Sequence, residues 1–333
     1  MVKAISLYSG GLDSTLAIKV LRMQNIDVIA LSFATPFNNI EEKRSMLERV
    51  AEELGCELMF VKLGREYLDL VRYPKYGYGK ALNPCIDCKI LMLKRAKEIM
   101  IERGADFIAT GEVLGQRPMS QNRKALRIIE EESGLKGLIL RPLSAKFLPP
   151  TIPEKEGKVN RSALLSIKGR SRKVQLELAR KYGIKEYFTP ASGCLLTDKR
   201  FSDRLLDLFL FKGKKKIGIN DVELIKVGRM FRIGDKARLI VGRNEEENRQ
   251  LKTLCKKGDF VLIVENVPGP LSIVRGIVNF NGLKLAASII ARYSDVNSKA
   301  QAKIIVYNYD FSNVITEITA PPIGNDLIER LRV

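Results

Sequence analysis

What most restricts this chain is an alternation. Over the first 140 residues, short apolar runs take turns with longer segments of helical period. Residues 3–8, 27–33, 57–62, 106–110 and 137–140 read as strands. Residues 14–24, 39–55 and 84–103 read as helices. Strands joined through helices pair in parallel and build a doubly wound sheet with helices on both faces. Ligands in such sheets bind beyond the carboxyl ends of the strands. Two segments fall at such ends: SGGLDS, residues 9–14, and TGEVLGQRP, residues 110–118.

A tight turn with a helix cap explains one glycine and one polar residue of SGGLDS. It leaves the rest unexplained. Glycines let backbone N–H groups approach an anion closely, and the N-terminus of the next helix adds partial positive charge. Ser9 and Ser14 add hydroxyls around Gly10 and Gly11. Asp13 repels a bare phosphate, so its place here makes sense with a metal ion between it and the phosphates. The string lacks the lysine of a Walker A loop and the spacing of G-x-G-x-x-G.

The 333 residues suggest two domains, and 57 Lys+Arg against 38 Asp+Glu give a net charge of +19. That excess attracts polyanions, and nucleic acid is the expected partner over a merely lysine-rich surface. With no histidine in the chain, Ser-His-Asp and Cys-His catalysis and histidine zinc sites are excluded. No apolar run reaches the ~18 residues of a membrane span. The N-terminus lacks the pattern of a signal peptide, so a cytoplasmic protein is expected.

Five cysteines, an odd number, argue against a disulfide framework. Cys56 and Cys255 read as small buried hydrophobes. Cys85 and Cys88, in NPCIDCK, stand at an expected helix start, where thiol pKa is lowered, with a redox or metal spacing. Cys194, in a glycine turn, becomes interesting only as their third partner. From about residue 218 short β-like runs dominate (VELIKVGRMFRI, ARLIVGR, FVLIVEN, SIVRGIVNF, KIIVYNY), with one helix near LKLAASIIARYS. This is a smaller α+β domain. The Lys-rich stretch near 211–217 sets the boundary, giving domains 1–210 and 211–333.

Together, SGGLDS, NPCIDCK and SGC resemble the PP-loop ATP pyrophosphatases that thiolate tRNA. The resemblance covers residues 1 to about 205. It implies the PP-loop fold and cleavage of ATP between the α- and β-phosphates, with adenylation of a base carbonyl oxygen, that of uridine. Ser9, Gly10, Gly11, Asp13, Ser14 and Gly111 would surround the nucleotide, and Asp13 would hold Mg2+. Arg117 is a phosphate or RNA contact by position. For sulfur, Cys85, Cys88 and Cys194 would hold a 4Fe–4S cluster with one open iron, the favoured route. The other route puts a persulfide on Cys194, resolved by Cys85 or Cys88. The donor would be sulfide or a persulfide carrier. VGRNEEEN, VENVPGP and LAASIIARYS resemble the NFACT-type RNA-binding domain; the plain alternative is a small α+β domain that offers a homodimer surface. Two other readings stay open: a PP-loop enzyme acting on a small molecule, as amidotransferase or sulfur insertase, and a non-catalytic RNA-binding factor.

Overall fold

The computed structural model describes residues 1–38, 40–188, 193–297 and 300–333. The chain forms two compact units, Met1–Thr197 and Asp198–Val333.

The first unit is built on five strands: β1 (Lys3–Leu7), β2 (Asp27–Ala34), β3 (Glu57–Lys62), β4 (Phe107–Thr110) and β5 (Ile139–Leu140). They lie in the order β3-β2-β1-β4-β5, and every pairing is parallel. The helices between them are α1 (Leu12–Arg22), α2 (Arg44–Glu53), α3 (Arg65–Arg72), α4 (Cys85–Glu102) and α5 (Arg123–Glu132). After β5 follow α6 (Ile152–Lys155) and α7 (Lys173–Lys181). Central strands are covered on both faces, so β1 and β2 are almost wholly buried and their polar residues need partners. Ser32, for example, donates to the carbonyl of Tyr8 at 2.6 Å.

The chain leaves β1 for β2 on one side and reaches β4 on the other. The strand order therefore reverses between β1 and β4, and the crevice of a doubly wound sheet opens at their carboxyl ends. Both SGGLDS and TGEV begin there. Helix α4 starts at Cys85, directly after Pro84, a residue suited to a helix start because it has no N–H to lose. The buried carboxylate of Asp87 accepts from the backbone N–H groups of Lys75 at 2.8 Å and Tyr76 at 3.1 Å, and so ties the preceding segment to the helix. Helices α3 and α5 are absent from the sequence reading. Both are short and charged, and only a narrow stripe is buried, as with Ala125, Leu126 and Ile129 in α5.

The second unit has helices α8 (Lys199–Lys212), α9 (Ile219–Lys226), α10 (Glu245–Leu254), α11 (Phe280–Arg292) and α12 (Asn325–Leu331). Its strands are β6 (Arg229–Ile233), β7 (Ala237–Val241), β8 (Asp259–Val264), β9 (Ser272–Gly276), β10 (Ala302–Asn308) and β11 (Val314–Ala320). They form one antiparallel sheet, ordered β11-β10-β8-β9-β7-β6. Side chains alternate faces along a strand. Leu239 of β7 thus joins the core built with α11, and Ile240 joins the one built with α9 and α10.

Part of the run read as β-like, VELIK, is helical. The Asp221 carboxylate accepts the Gly218 N–H at 2.9 Å, capping α9, and Val222, Leu224 and Ile225 are buried. Helix α8 is held by the second unit. Asp207 takes Arg232 at 2.7 Å and Arg238 at 2.5 Å, and Arg204 donates to the carbonyls of Ile225 and Gly228. Residue 210, where the sequence reading ends the first domain, lies inside this helix. Among the described residues no helix is long and apolar enough to cross a membrane.

Candidate functional site

Two loops meet at the crevice, and glycines let them. Gly10 has φ +71°, and a Cβ there would lie 2.5 Å from the side chains of Leu47 and Phe188. Its carbonyl accepts from the N–H of Phe188 at 2.7 Å. Gly11 is the N-cap of α1 and makes no side-chain bond, so the first N–H groups of α1 stay available to a ligand. A Cβ on Gly111 would fall 2.6 Å from the Cα and N of Ser14 and 2.7 Å from the carbonyl carbon of Asp13. The loop after β4 therefore rests directly on the start of α1. Ser14 Oγ donates to the Gly11 carbonyl at 2.8 Å and stands 3.4 Å from Ser9 Oγ. The predicted cradle residues Ser9, Gly10, Gly11, Asp13, Ser14 and Gly111 are thus together in space.

Asp13 is 14% exposed. Its Oδ2 accepts from Gln116 Nε2 at 3.1 Å and lies 3.5 Å from Arg172 Nη2. Its Oδ1 is buried with no hydrogen-bond partner. A buried carboxylate oxygen left unpaired carries a desolvation cost that a cation would relieve. The donor chemistry therefore fits a Mg2+ ion, which Asp13 would hold.

The sequence reading missed Glu112, the neighbour of Gly111. It is 1% exposed, accepts from Thr110 Oγ1 and Arg141 Nε at 3.1 Å each, and has Lys89 at 3.8 Å. Burial works against its ionisation, but Lys89 and Arg141 outweigh it and hold its pKa below the usual carboxylate value. A glutamate between a motif glycine and an apolar stretch was the available signal. Its arginine lies 29 residues further on, at the end of β5.

The three predicted thiols converge. Burial, with Cys88 and Cys85 beside it, pushes the Cys194 thiol up to about 12, while Arg117 pulls the other way. Burial likewise pushes Cys88 up to about 11, against the bond from Tyr67 and the charge of Lys89. A lowered pKa at the helix start is therefore not what Cys88 has: desolvation outweighs the helix N-terminus. Tyr67, from α3, is a second residue the sequence reading missed. Its hydroxyl donates to Cys88 Sγ at 3.1 Å, and burial together with all three thiols keeps it protonated. Asn83 Nδ2 approaches Cys85 Sγ at 3.1 Å. The turn at Cys194 is anchored by Leu195, whose N–H donates to the Phe37 carbonyl at 2.8 Å. Ser192, the first residue of SGC, lies outside the described residues.

Among the described residues no three Cys, Asp or Glu side chains stand close enough to hold one metal ion jointly. In a 4Fe–4S cluster each thiolate binds a different iron, so the donor chemistry of the three cysteines fits a cluster in kind.

Residues 1–146 match the family described as thiamine biosynthesis protein (ThiI), and residues 228–330 match the NFACT protein RNA binding domain. The tRNA-specific 2-thiouridylase MnmA of Petrotoga mobilis is 31% identical over 130 residues, 34% of this chain and 35% of that protein. A probable tRNA sulfurtransferase of Thermococcus kodakarensis is 31% identical over 144 residues, 42% of this chain and 36% of that protein. The chain thus spans about a third of the length of these curated relatives (35% and 36%). Among solved structures, a 4-thiouridine synthetase–RNA complex with bound ATP is 26% identical with a TM-score of 0.35, over 54% of this chain and 50% of that one. Residues 1–146 are thus similar to PP-loop enzymes of tRNA thiolation, and residues 228–330 to the NFACT RNA binding domain.

Proposed function

We propose that this protein is an ATP-dependent tRNA sulfurtransferase. One observation carries the reading. A single loop after β4 touches the cradle through Gly111, holds Asp13 through Gln116, and brings the charge of Arg117 within electrostatic reach of Cys194. This supports a reading in which nucleotide activation and thiol chemistry share one site.

A uracil carbonyl oxygen is a poor leaving group. Attack of that oxygen on the α-phosphorus of ATP forms a base–O–AMP bond and breaks the α–β bridge, which releases pyrophosphate. The N–H groups at Gly10 and Gly11 and the hydroxyls of Ser9 and Ser14 would receive the departing charge. Mg2+ on Asp13 would neutralise part of it. A persulfide carrier passes its outer sulfur to the Cys194 thiol and leaves as a thiol; the terminal persulfide sulfur on Cys194 then attacks the activated carbon, and AMP leaves. Cys85 or Cys88 attacks Cys194 Sγ, forming a Cys–Cys disulfide and leaving the second sulfur on the base. An external thiol reductant resets the disulfide. Burial suits this order. It keeps the resting Cys88 and Cys194 thiols protonated, whereas a persulfide is a stronger acid than a thiol and ionises where a thiol does not. A 4Fe–4S cluster on the same cysteines would instead supply an open iron for hydrosulfide. Iron and labile sulfide in anaerobically purified protein, with Cys194→Ala as control, separate the two routes.

The NFACT-type domain and the charge of +19 support tRNA as the substrate. The test is nucleoside mass spectrometry after incubation with ATP, Mg2+, a sulfur donor and unmodified tRNA. A thionucleoside that disappears with Asp13→Ala or Cys194→Ala is expected. AMP release without gain of sulfur would overturn the reading.

A further inference from the structure

On the flank of the first unit, between α5, strand β5 and residues 145–154, lies a cavity of about 640 Å³. That is the size of a small-molecule site. It shares no lining residue with the cradle or the thiols. Its lining is split by chemistry. Arg123, Lys124, Arg127, Lys136 and Arg141 supply five cations, against the two carboxylates of Glu130 and Glu154. Both carboxylates are already engaged, Glu130 by Arg141 and Glu154 by Thr151 and Arg161. Leu126, Leu140, Leu148 and Pro149 supply an apolar wall.

Arg141 marks the depth of the site. It is 3% exposed, with Nε on Glu112 and Nη1 on Glu130, yet its Nη2 is buried with no hydrogen-bond partner. The guanidinium is thus held rigidly by the two glutamates at the inner end of the lining, and the outer cations are left to meet a ligand. Arg123, Lys124 and Lys136 make no ion pair among the described residues, which leaves their charge available. An anionic head with a flat apolar body satisfies both halves of the lining. We infer that this cavity binds a nucleotide, its phosphate against the arginines and lysines and its base against the apolar wall. Two sources share that chemistry, a free mononucleotide and one residue of an RNA strand.

The test measures binding to the full chain, without turnover, so its failure is distinct from failure of the sulfur-transfer reading. The probes are uridine 5′-monophosphate and a short oligouridylate, titrated with the cradle filled by a non-hydrolysable ATP analogue and Mg2+. Two double variants are compared, Arg123→Glu with Lys136→Glu and Lys124→Glu with Arg127→Glu. All four residues are exposed, so the fold should hold, and circular dichroism checks it. At least a tenfold loss of affinity is expected. For the oligonucleotide, the slope of log affinity against log salt should also fall by about 1.4 for two lost phosphate contacts. Loss for the mononucleotide assigns a free nucleotide. Loss for the oligonucleotide alone assigns an RNA strand. Unchanged affinity for both probes in both variants overturns the inference.

Discussion

Gly111→Ala tests the meeting of the two loops. The new Cβ would stand 2.6 Å from backbone atoms of Ser14, and ordinary contact begins at 3.4 Å. Backbone cannot swing aside as a long side chain can, so the loop or the start of α1 must retreat by about 0.8 Å. Overpacking of this kind costs about 1–3 kcal/mol. In a unit the size of Met1–Thr197 that lowers Tm by roughly 2–12 °C. The catalytic effect should be larger, because a displacement of about 1 Å at a reacting centre costs on the order of 10²-fold. The assay is tRNA-dependent AMP release, read as kcat/KM, beside a thermal melt. Gly157→Ala is the control. Its φ is +71° with nothing within 4 Å of an added Cβ, so it should lose stability through backbone strain and keep its turnover. Wild-type kcat/KM and Tm in Gly111→Ala would refute the reasoning.

Asp13→Asn keeps the shape of the side chain and removes its charge. AMP formation should fall on the order of 10²-fold and need more Mg2+, and an unchanged Mg2+ titration would remove Asp13 from the metal site. The thiols of Cys88 and Cys194 are raised from 9.0 to about 11 and about 12, so the folded state favours their neutral forms. Their stabilising contribution is whole below pH 9.0 and is lost as pH rises through about 11 and 12. Iodoacetamide labelling, mapped by mass spectrometry, should still climb above pH 9.0, and a plateau below that value would contradict the burial. Tyr67→Phe deletes the bond to Cys88 and should slow labelling of that residue at fixed pH. In the second unit, Asp221 accepts from Lys212, Lys256 and Arg275 and is 2% exposed. Asp221→Asn should cost roughly 3 kcal/mol or more in denaturant unfolding, because it strips charge from a buried network, and a loss below about 1 kcal/mol would show that the cations find other partners.

What could be read from the sequence was whatever the chain states locally. The glycines of SGGLDS and the one in TGEV announce close backbone approach, and both sit where the strand order reverses. The cysteine spacing announces a thiol pair at a helix start. Partners brought by folding were not legible. Nothing near Glu112 names Arg141, and nothing near Cys88 names Tyr67. The thiol pKa failed for the same reason: a helix N-terminus is visible in sequence, but burial is a property of the packed site. Helix α9 shows the opposite limit. Its apolar run fits either period, and the cap that decides for helix is a carboxylate within a single turn.

On the proposed function the loop after β4 would tie nucleotide loading to the thiols, and the tie is testable. Gln116 and Arg117 are consecutive. The first donates to Asp13 Oδ2, and the second lowers the pKa of Cys194 by its charge. In the proposed mechanism Mg2+ would bind the unpaired Oδ1 of Asp13 and weaken the hold of Oδ2 on Gln116. A displacement of Gln116 that carried Arg117 with it would change the field at Cys194. Labelling of Cys194 at fixed alkaline pH should therefore differ between the free protein and the protein with a non-hydrolysable ATP analogue and Mg2+. In Gln116→Ala the bond to Asp13 is already gone, so the response to nucleotide should be lost while nucleotide still binds. Equal labelling with and without nucleotide in the wild type would show that the two halves of the site, though adjacent, work independently.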